Sequence, residues 1–107
     1  MTTAITVTIG RNILGGSEEL ELHAWELFKT RTREAVRRAA EDRVLWVDAD
    51  YVGEWELHTE DAHVFVAPAK SAAAVEVLRT SLKVLATRFG QDAIGLVSGD
   101  AELIESF

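Results

Sequence analysis

The chain has 107 residues, and its 18 acidic against 11 basic side chains give a formal net charge of −7, which argues against general affinity for nucleic acid or for an anionic membrane. With 48% hydrophobic residues it is too apolar to be disordered, and its length suits a single domain, residues 1–107. It has no cysteine for a disulfide, a thiolate metal site or a nucleophile, and its apolar runs are too short for a membrane span or a secretory signal, so we expect a cytoplasmic protein.

The first third of the chain predicts a strand and a long helix. Residues 4–10 alternate β-branched apolar side chains with threonines, which is the period of a half-buried strand. Ser17 follows two glycines and is a candidate N-cap. The helix is predicted from about Glu18 or Glu21 to about Glu41, because apolar residues recur there at three- and four-residue spacing.

The middle of the chain predicts two strands joined by an acidic hairpin. Val44–Asp48 and Ala62–Ala67 are short and apolar on both faces, which is typical of buried strands. The segment Asp50–Asp61 between them contains a glycine and many acids, and we expect a hairpin connection with a short extra ladder near residues 54–57.

The last third predicts a second helix and a final strand. Ser71 is a candidate N-cap, the apolar stripe that follows is centred on Leu82, and Gly90 is a natural left-handed residue just after the helix. Ala93–Val97 is predicted as a strand, broken by the polar and glycine residues 98–100.

The order β-α-β-β-α-β with right-handed crossovers predicts an α+β, ferredoxin-like sandwich. We expect a four-stranded antiparallel sheet in the order 4-1-3-2, with both helices on one face. If the smaller residues of the middle strands pack the core, Trp46, His63 and Phe65 lie on the uncovered face. Such a cluster favours a homodimer formed through the sheet face, and a small-molecule pocket under the hairpin is the alternative.

Charge is unevenly distributed between the first helix and the hairpin. Six of the eleven basic residues fall within residues 29–43, whereas residues 44–69 contain no lysine or arginine. We predict that the hairpin binds a partner protein, although a solvated helix and a solvated loop would give the same pattern. Trp55 in its centre is either a binding hot spot or a lid that folds back on the core. The predicted partner-binding residues are Asp48, Asp50, Glu54, Trp55, Glu56, Glu60 and Asp61.

No arrangement of residues predicts catalysis, a cofactor or a metal. His58 and His63 could serve a transition metal, but their spacing across a turn does not by itself bring them together. The acids of residues 48–56 lack the spacing of a calcium loop. The glycines at 15–16 are not followed by the residues of a phosphate-binding loop, and no serine lies in a nucleophile elbow.

Four segments together resemble small uncharacterised proteins encoded by actinobacterial phages. They are TVTIGRN at 6–12, WELF at 25–28, VGEWE at 52–56 and RFGQDAIGLVSGD at 88–100. The chain departs from that pattern at residues 48–50, where the phage proteins are richer in glycine. The resemblance implies an accessory phage protein, located in the cytoplasm of the infected cell, and it implies no catalytic residues.

These observations favour a non-enzymatic interaction protein that self-associates and binds a host or phage protein. The alternative is a small-molecule-binding or enzymatic dimeric domain of the ferredoxin-like kind, with a pocket holding His63, Trp46 and a carboxylate. A third hypothesis is a nucleic-acid mimic, in which the acidic hairpin occupies a basic site on another protein.

Overall fold

The computed structural model describes residues 2–13, 18–55 and 58–101 of the chain. Within them the elements follow the predicted order, with one short 3₁₀ turn at Glu41–Arg43 after the first helix. The elements are β1 (Thr2–Gly10), α1 (Leu22–Ala39), β2 (Val47–Trp55), β3 (His58–Pro68), α2 (Ala72–Arg88) and β4 (Gly95–Ala101).

The four described strands form one antiparallel sheet in the order β2-β3-β1-β4. This is the predicted order read from the other edge, and the α+β ferredoxin-like fold is confirmed. Both helices pack on one sheet face, where the alternating residues Ile5, Val7 and Ile9 of β1 are buried. Burying such side chains stabilises the fold by about 1.5–3 kcal/mol each.

One of the two predicted N-caps is confirmed. Ser71 caps α2, because its Oγ accepts a hydrogen bond from the backbone N–H of Ala74 at 3.0 Å. The predicted cap Ser17 lies outside the described residues, and α1 begins only at Leu22, where the Glu21 carboxylate accepts from Ala24 N–H. Carboxylates suit this position because they accept from backbone N–H groups at the positive helix end.

The strands are longer than their sequences predict. β2 begins three residues after the predicted start and continues to Trp55, so the segment predicted as a connection is mostly ladder paired with β3. β4 runs through Ser98, Gly99 and Asp100, where a break was predicted. Residues 98–100 have low strand propensity, but their backbone pairs with β1, and this pairing keeps them in the strand.

The prediction that His63 and Phe65 face the uncovered side is wrong. Ile9 lies opposite His63 and Val7 opposite Phe65, and directly opposed residues share a face, so both side chains point toward the helices. Both are buried, at 4% and 0% exposure. Trp46, the third member of the predicted cluster, lies half-exposed in the bend before β2.

An aromatic pair links the two helices in the core. The ring of Phe28 from α1 stacks on Phe89, the C-cap residue of α2, with centroids 4.7 Å apart. Gly90 follows with φ +64°, which confirms the predicted left-handed residue after the helix. Within the described residues, neither helix is long and apolar enough to cross a membrane.

Candidate functional site

The acidic strand and the basic helix pair with each other inside the chain. Asp48 and Asp50 lie on the face of β2 that looks toward α1, since they are opposite Phe65 and His63. Arg33 of α1 donates two hydrogen bonds to Asp48, from Nε at 2.6 Å and from Nη2 at 3.0 Å. Lys29 Nζ donates to Asp50 at 3.3 Å. These carboxylates therefore connect β2 to α1, although both residues stay partly exposed to solvent.

His63 lies between the same two carboxylates. Its Nδ1 lies 2.6 Å from Oδ1 of Asp50, and its Nε2 lies 2.5 Å from Oδ1 of Asp48. Ionised carboxylates can only accept, so both hydrogen bonds form together only when each ring nitrogen carries a proton. The ring also contacts Phe65, with centroids 4.6 Å apart. We call Lys29, Arg33, Asp48, Asp50 and His63 the ion cluster.

The ion cluster shifts the acidity of four of its members. The pKa of Asp48 is lowered, first by the hydrogen bond from Arg33 and then by His63, against an opposing effect of burial. The pKa of Asp50 is lowered, first by His63 and then by Lys29. Asp48 raises the pKa of Arg33. Burial alone would lower the pKa of Lys29, but hydrogen bonds to Glu26 and Asp50 leave it raised.

Three of the remaining predicted partner-binding residues, Glu54, Glu60 and Asp61, have described side chains. Asp61 accepts from Arg11 Nη1 at 3.0 Å, and Glu60 accepts from the backbone N–H of Asn12 at 2.8 Å. Glu54 is exposed near the end of β2. Trp55 closes the described part of β2 but its side chain is outside the description, and Glu56 lies outside the described residues.

A shallow cavity of about 250 Å³ lies on the sheet face that the helices leave uncovered. All four strands contribute small residues to one end of this face, where Thr8, Tyr51, Glu54 and Glu60 stand around them. We call this the open-face cavity. The small residues that line it are Gly10, Gly53, Ala62, Ala93 and Gly95.

Glycine at two of these positions leaves room for a side chain from a neighbouring strand to lie over the backbone. A Cβ at Gly10 would collide with the carboxylate of Glu60, and a Cβ at Gly95 would collide with Oγ1 of Thr8. The Glu60 carboxylate therefore rests on the cavity floor, where Asn12 N–H fixes its Oε1. A carboxylate has further lone pairs, so this one can still accept hydrogen bonds from a bound molecule.

The sequence predicts a small-molecule pocket under the hairpin only as an alternative to a dimer contact, and it does not identify the residues that line the open-face cavity. It assigns Glu54 and Glu60 to a protein partner. The lining residues come from four strands and share no motif. A strand pattern with glycines at 10, 53 and 95 is the signal available in the sequence, because an isolated strand glycine marks a place where another group approaches closely.

No family model and no curated protein matches this chain. A solved structure with the same fold is a phage SAM lyase in complex with S-methyl-5′-thioadenosine, superimposed with a TM-score of 0.52 at 14% sequence identity. The match covers 97% of this chain and 93% of the lyase chain. At this identity the likeness shows the fold.

The same finding overturns the sequence-based expectation of a non-enzymatic interaction protein. A structural neighbour that is an enzyme with a bound nucleoside favours the alternative, a small-molecule-binding or enzymatic ferredoxin-like domain. The residues that the sequence predicts for that pocket, however, are not the ones that line the open-face cavity. His63 is buried between Asp48 and Asp50, whereas the open-face cavity is built around Tyr51 and Glu60.

Proposed function

We propose that this protein is a phage enzyme that binds S-adenosylmethionine in the open-face cavity and cleaves it to S-methyl-5′-thioadenosine. The observation that carries the proposal is the likeness to a phage SAM lyase along 97% of the chain. That neighbour and the resemblance to phage proteins both support a phage source. We place the activity in the cytoplasm of the infected cell.

The chemistry of this cleavage needs little from the protein in the way of acids and bases. S-methyl-5′-thioadenosine keeps the methyl and adenosyl groups of the substrate, so the bond that breaks joins sulfur to Cγ of the amino-acid part. The electron pair of that bond goes to sulfur, which turns the sulfonium into a neutral thioether. The substrate's own carboxylate oxygen forms the new bond to Cγ as sulfur leaves, so the four-carbon amino-acid part departs as a five-membered lactone and no water or other reactant is consumed. Because the leaving group is already activated, no general acid is required at sulfur, and the lack of a catalytic motif in the sequence does not argue against such an enzyme.

The open-face cavity offers a nucleoside three kinds of contact. The Glu60 carboxylate can accept hydrogen bonds from ribose hydroxyls, as acidic residues do in other nucleotide sites. The ring of Tyr51 can stack on adenine, and the glycine floor lets a planar group approach the backbone. The Glu60 carboxylate also favours a cationic substrate.

The size of the cavity limits what it can hold. At about 250 Å³ it lies just below the roughly 300–1,000 Å³ of typical ligand pockets. We therefore assign it the nucleoside part, with the amino-acid part extending along the exposed sheet face.

Incubation of the purified protein with S-adenosylmethionine, followed by mass spectrometry, tests the proposal. We expect S-methyl-5′-thioadenosine and a four-carbon amino-acid fragment to accumulate with enzyme concentration. Glu60→Gln should weaken binding of S-methyl-5′-thioadenosine by about 10- to 100-fold, since hydrogen bonds to charged groups contribute about 1.5–3 kcal/mol. Glu76→Gln, on the exposed side of α2, is the matched control. If the wild type forms no product and binds no S-methyl-5′-thioadenosine, the proposal is wrong.

A further inference from the structure

We propose that His63 is a positioning residue for the open-face cavity. Its imidazolium bridges Asp48 and Asp50, and only while this bridge exists is the Asp50–Gly53 part of β2 held in place. The inference rests on the proposed function in one respect, the assignment of Tyr51 to the ligand. It predicts that ligand affinity falls as pH rises through the titration of His63.

The bridge depends on a proton at each ring nitrogen. Nδ1 and Nε2 face carboxylate oxygens at 2.6 and 2.5 Å, and a neutral imidazole has one N–H and one lone pair. Deprotonation therefore turns one of the two hydrogen bonds into a contact between a lone pair and a negatively charged oxygen. With the ring 4% exposed and carboxylates on both sides, that contact is poorly shielded by water.

The charged groups around His63 come from two elements. β2 supplies Asp48 and Asp50, and α1 supplies Lys29 and Arg33, which bind those carboxylates. Glu26 of α1 reaches the ion cluster through Lys29 Nζ at 3.0 Å. On the β1 side, the residue opposite His63 is the apolar Ile9.

The His63–Asp48 and His63–Asp50 hydrogen bonds are not equally well supported, and this determines which of them breaks when the ring is neutral. Asp48 is held by two hydrogen bonds from Arg33, and its side chain is 27% exposed. Asp50 has Lys29 at 3.3 Å as its other described partner, and its side chain is 68% exposed. The neutral ring should keep its proton on Nε2, facing the fixed Asp48, while its Nδ1 lone pair repels Asp50 into solvent.

Loss of the contact between Asp50 and His63 affects the cavity through the backbone of β2. Tyr51 follows Asp50 directly and points to the opposite face of β2, because successive strand residues alternate. β2 is an edge strand, paired with β3 alone in the described sheet, so its other restraint in this stretch comes from its helix-side contacts to the ion cluster. When Asp50 detaches, the Tyr51 and Gly53 wall of the cavity loses that restraint.

Nuclear magnetic resonance of the uniformly ¹⁵N-labelled protein across a pH titration tests this directly. At acidic pH, both ring nitrogens of His63 should show protonated shifts. With rising pH, the Nε2–H tautomer should form, and the amide signals of Tyr51 and Gly53 should move with the same midpoint, while those of Thr6 on β1 stay in place. An Nδ1–H tautomer, or β2 amides that do not follow the ring, overturns the proposal.

Two matched variants assign the effect to Asp50. Asp50→Asn puts an amide opposite Nδ1 that can donate to the neutral ring, so the response of Tyr51 to His63 titration should disappear. Asp61→Asn changes an acid on the same hairpin that binds Arg11, and it should leave the response intact. If the two variants behave alike, the proposal is overturned.

Calorimetric binding of S-methyl-5′-thioadenosine supplies the functional measurement. The affinity of the wild type should drop several-fold from the acidic to the basic side of the His63 midpoint, and that of Asp50→Asn should not. Equal pH dependence of the two proteins contradicts the proposal. If the ligand binds at no pH, the proposed function fails, whereas the ring and amide signals still decide the role of His63.

Discussion

At the scale of single residues, close approach between strands shapes the candidate site. Gly10 has no Cβ, and this lets the Glu60 carboxylate lie on the cavity floor against Asn12 N–H. Glu60 is a flexible side chain, so it can move aside without breaking the sheet. The glycine therefore matters more for the site than for the fold.

We expect Gly10→Ala to displace Glu60 and to weaken binding of S-methyl-5′-thioadenosine by about tenfold or more, because a charged hydrogen bond to the ligand is lost. Gly99→Ala on β4 is the matched control, since nothing lies within 4 Å of its added Cβ. Calorimetry measures the affinity and circular dichroism the fold. Equal affinity of the two variants would show that the position of Glu60 is unimportant.

The lowered pKa values of Asp48 and Asp50 predict how stability changes in acid. A carboxyl group with a pKa below its ordinary 3.8 in the folded state binds protons less readily there than in the unfolded chain. Its stabilising effect is complete above the ordinary value and is lost as pH falls through the lower folded one.

Lowering the pH from about 6 to about 3 should therefore lower the thermal midpoint of unfolding, and this decrease should be smaller in Asp48→Asn than in the wild type. Differential scanning calorimetry at both pH values measures this. Asp92→Asn, an exposed acid near β4, should retain the acid sensitivity of the wild type. An Asp48→Asn variant as acid-sensitive as the wild type would contradict the ionised pairing of Asp48 with Arg33.

At the scale of elements, the apolar stripe of α2 anchors that helix to the sheet. Leu78 and Leu82 are 1% and 4% exposed, whereas Val84 on the outer side is 55% exposed. The 3-4 spacing in the sequence predicts this division, and the structure confirms it.

Leu82→Ala should lower the free energy of unfolding by about 2–5 kcal/mol, because it removes apolar contacts and leaves a cavity. Val84→Ala removes a similar side chain from the exposed side and should change the unfolding free energy by less than about 0.5 kcal/mol. Denaturant titration measures both. Similar midpoints for the two variants would mean that the stripe contributes little.

At the scale of the whole molecule, exposed apolar residues on the uncovered sheet face lead us to propose that the protein forms a homodimer. Val47 and Val97 are 38% and 68% exposed, and they lie opposite Val66 and Thr6 on the face away from the helices. A stable dimer through this face would bury roughly 800 Å² per copy. His63 and Phe65, which the sequence predicts at this contact, are buried under the helices and take no part in it.

Light scattering should give twice the 11.8 kDa of the chain at micromolar concentration. Val97→Glu should return the protein to a monomer, since a carboxylate in the contact would be desolvated. Val77→Glu, on exposed α2, should leave the mass unchanged. A monomer at every concentration would exclude the homodimer.

The sequence by itself determined the elements and their order, because hydrophobic period, capping residues and turn residues act over a few neighbours. The alternation around Val7, the cap at Ser71 and the turn at Gly90 are all local signals of this kind, and they sufficed for the ferredoxin-like topology.

Only the tertiary structure decided which face each middle strand presents and what its charges contact. Val44–Asp48 and Ala62–Ala67 are apolar on both sides, so period alone could not orient Phe65, and the ladder with β1 did. The acids of β2 and the bases of α1 meet because the crossover places them face to face, at a separation of 15 residues for Arg33 and Asp48. The open-face cavity likewise forms only where four strands bring their small residues together. Each strand contributes only a few of the lining residues, so no local sequence pattern predicts the cavity.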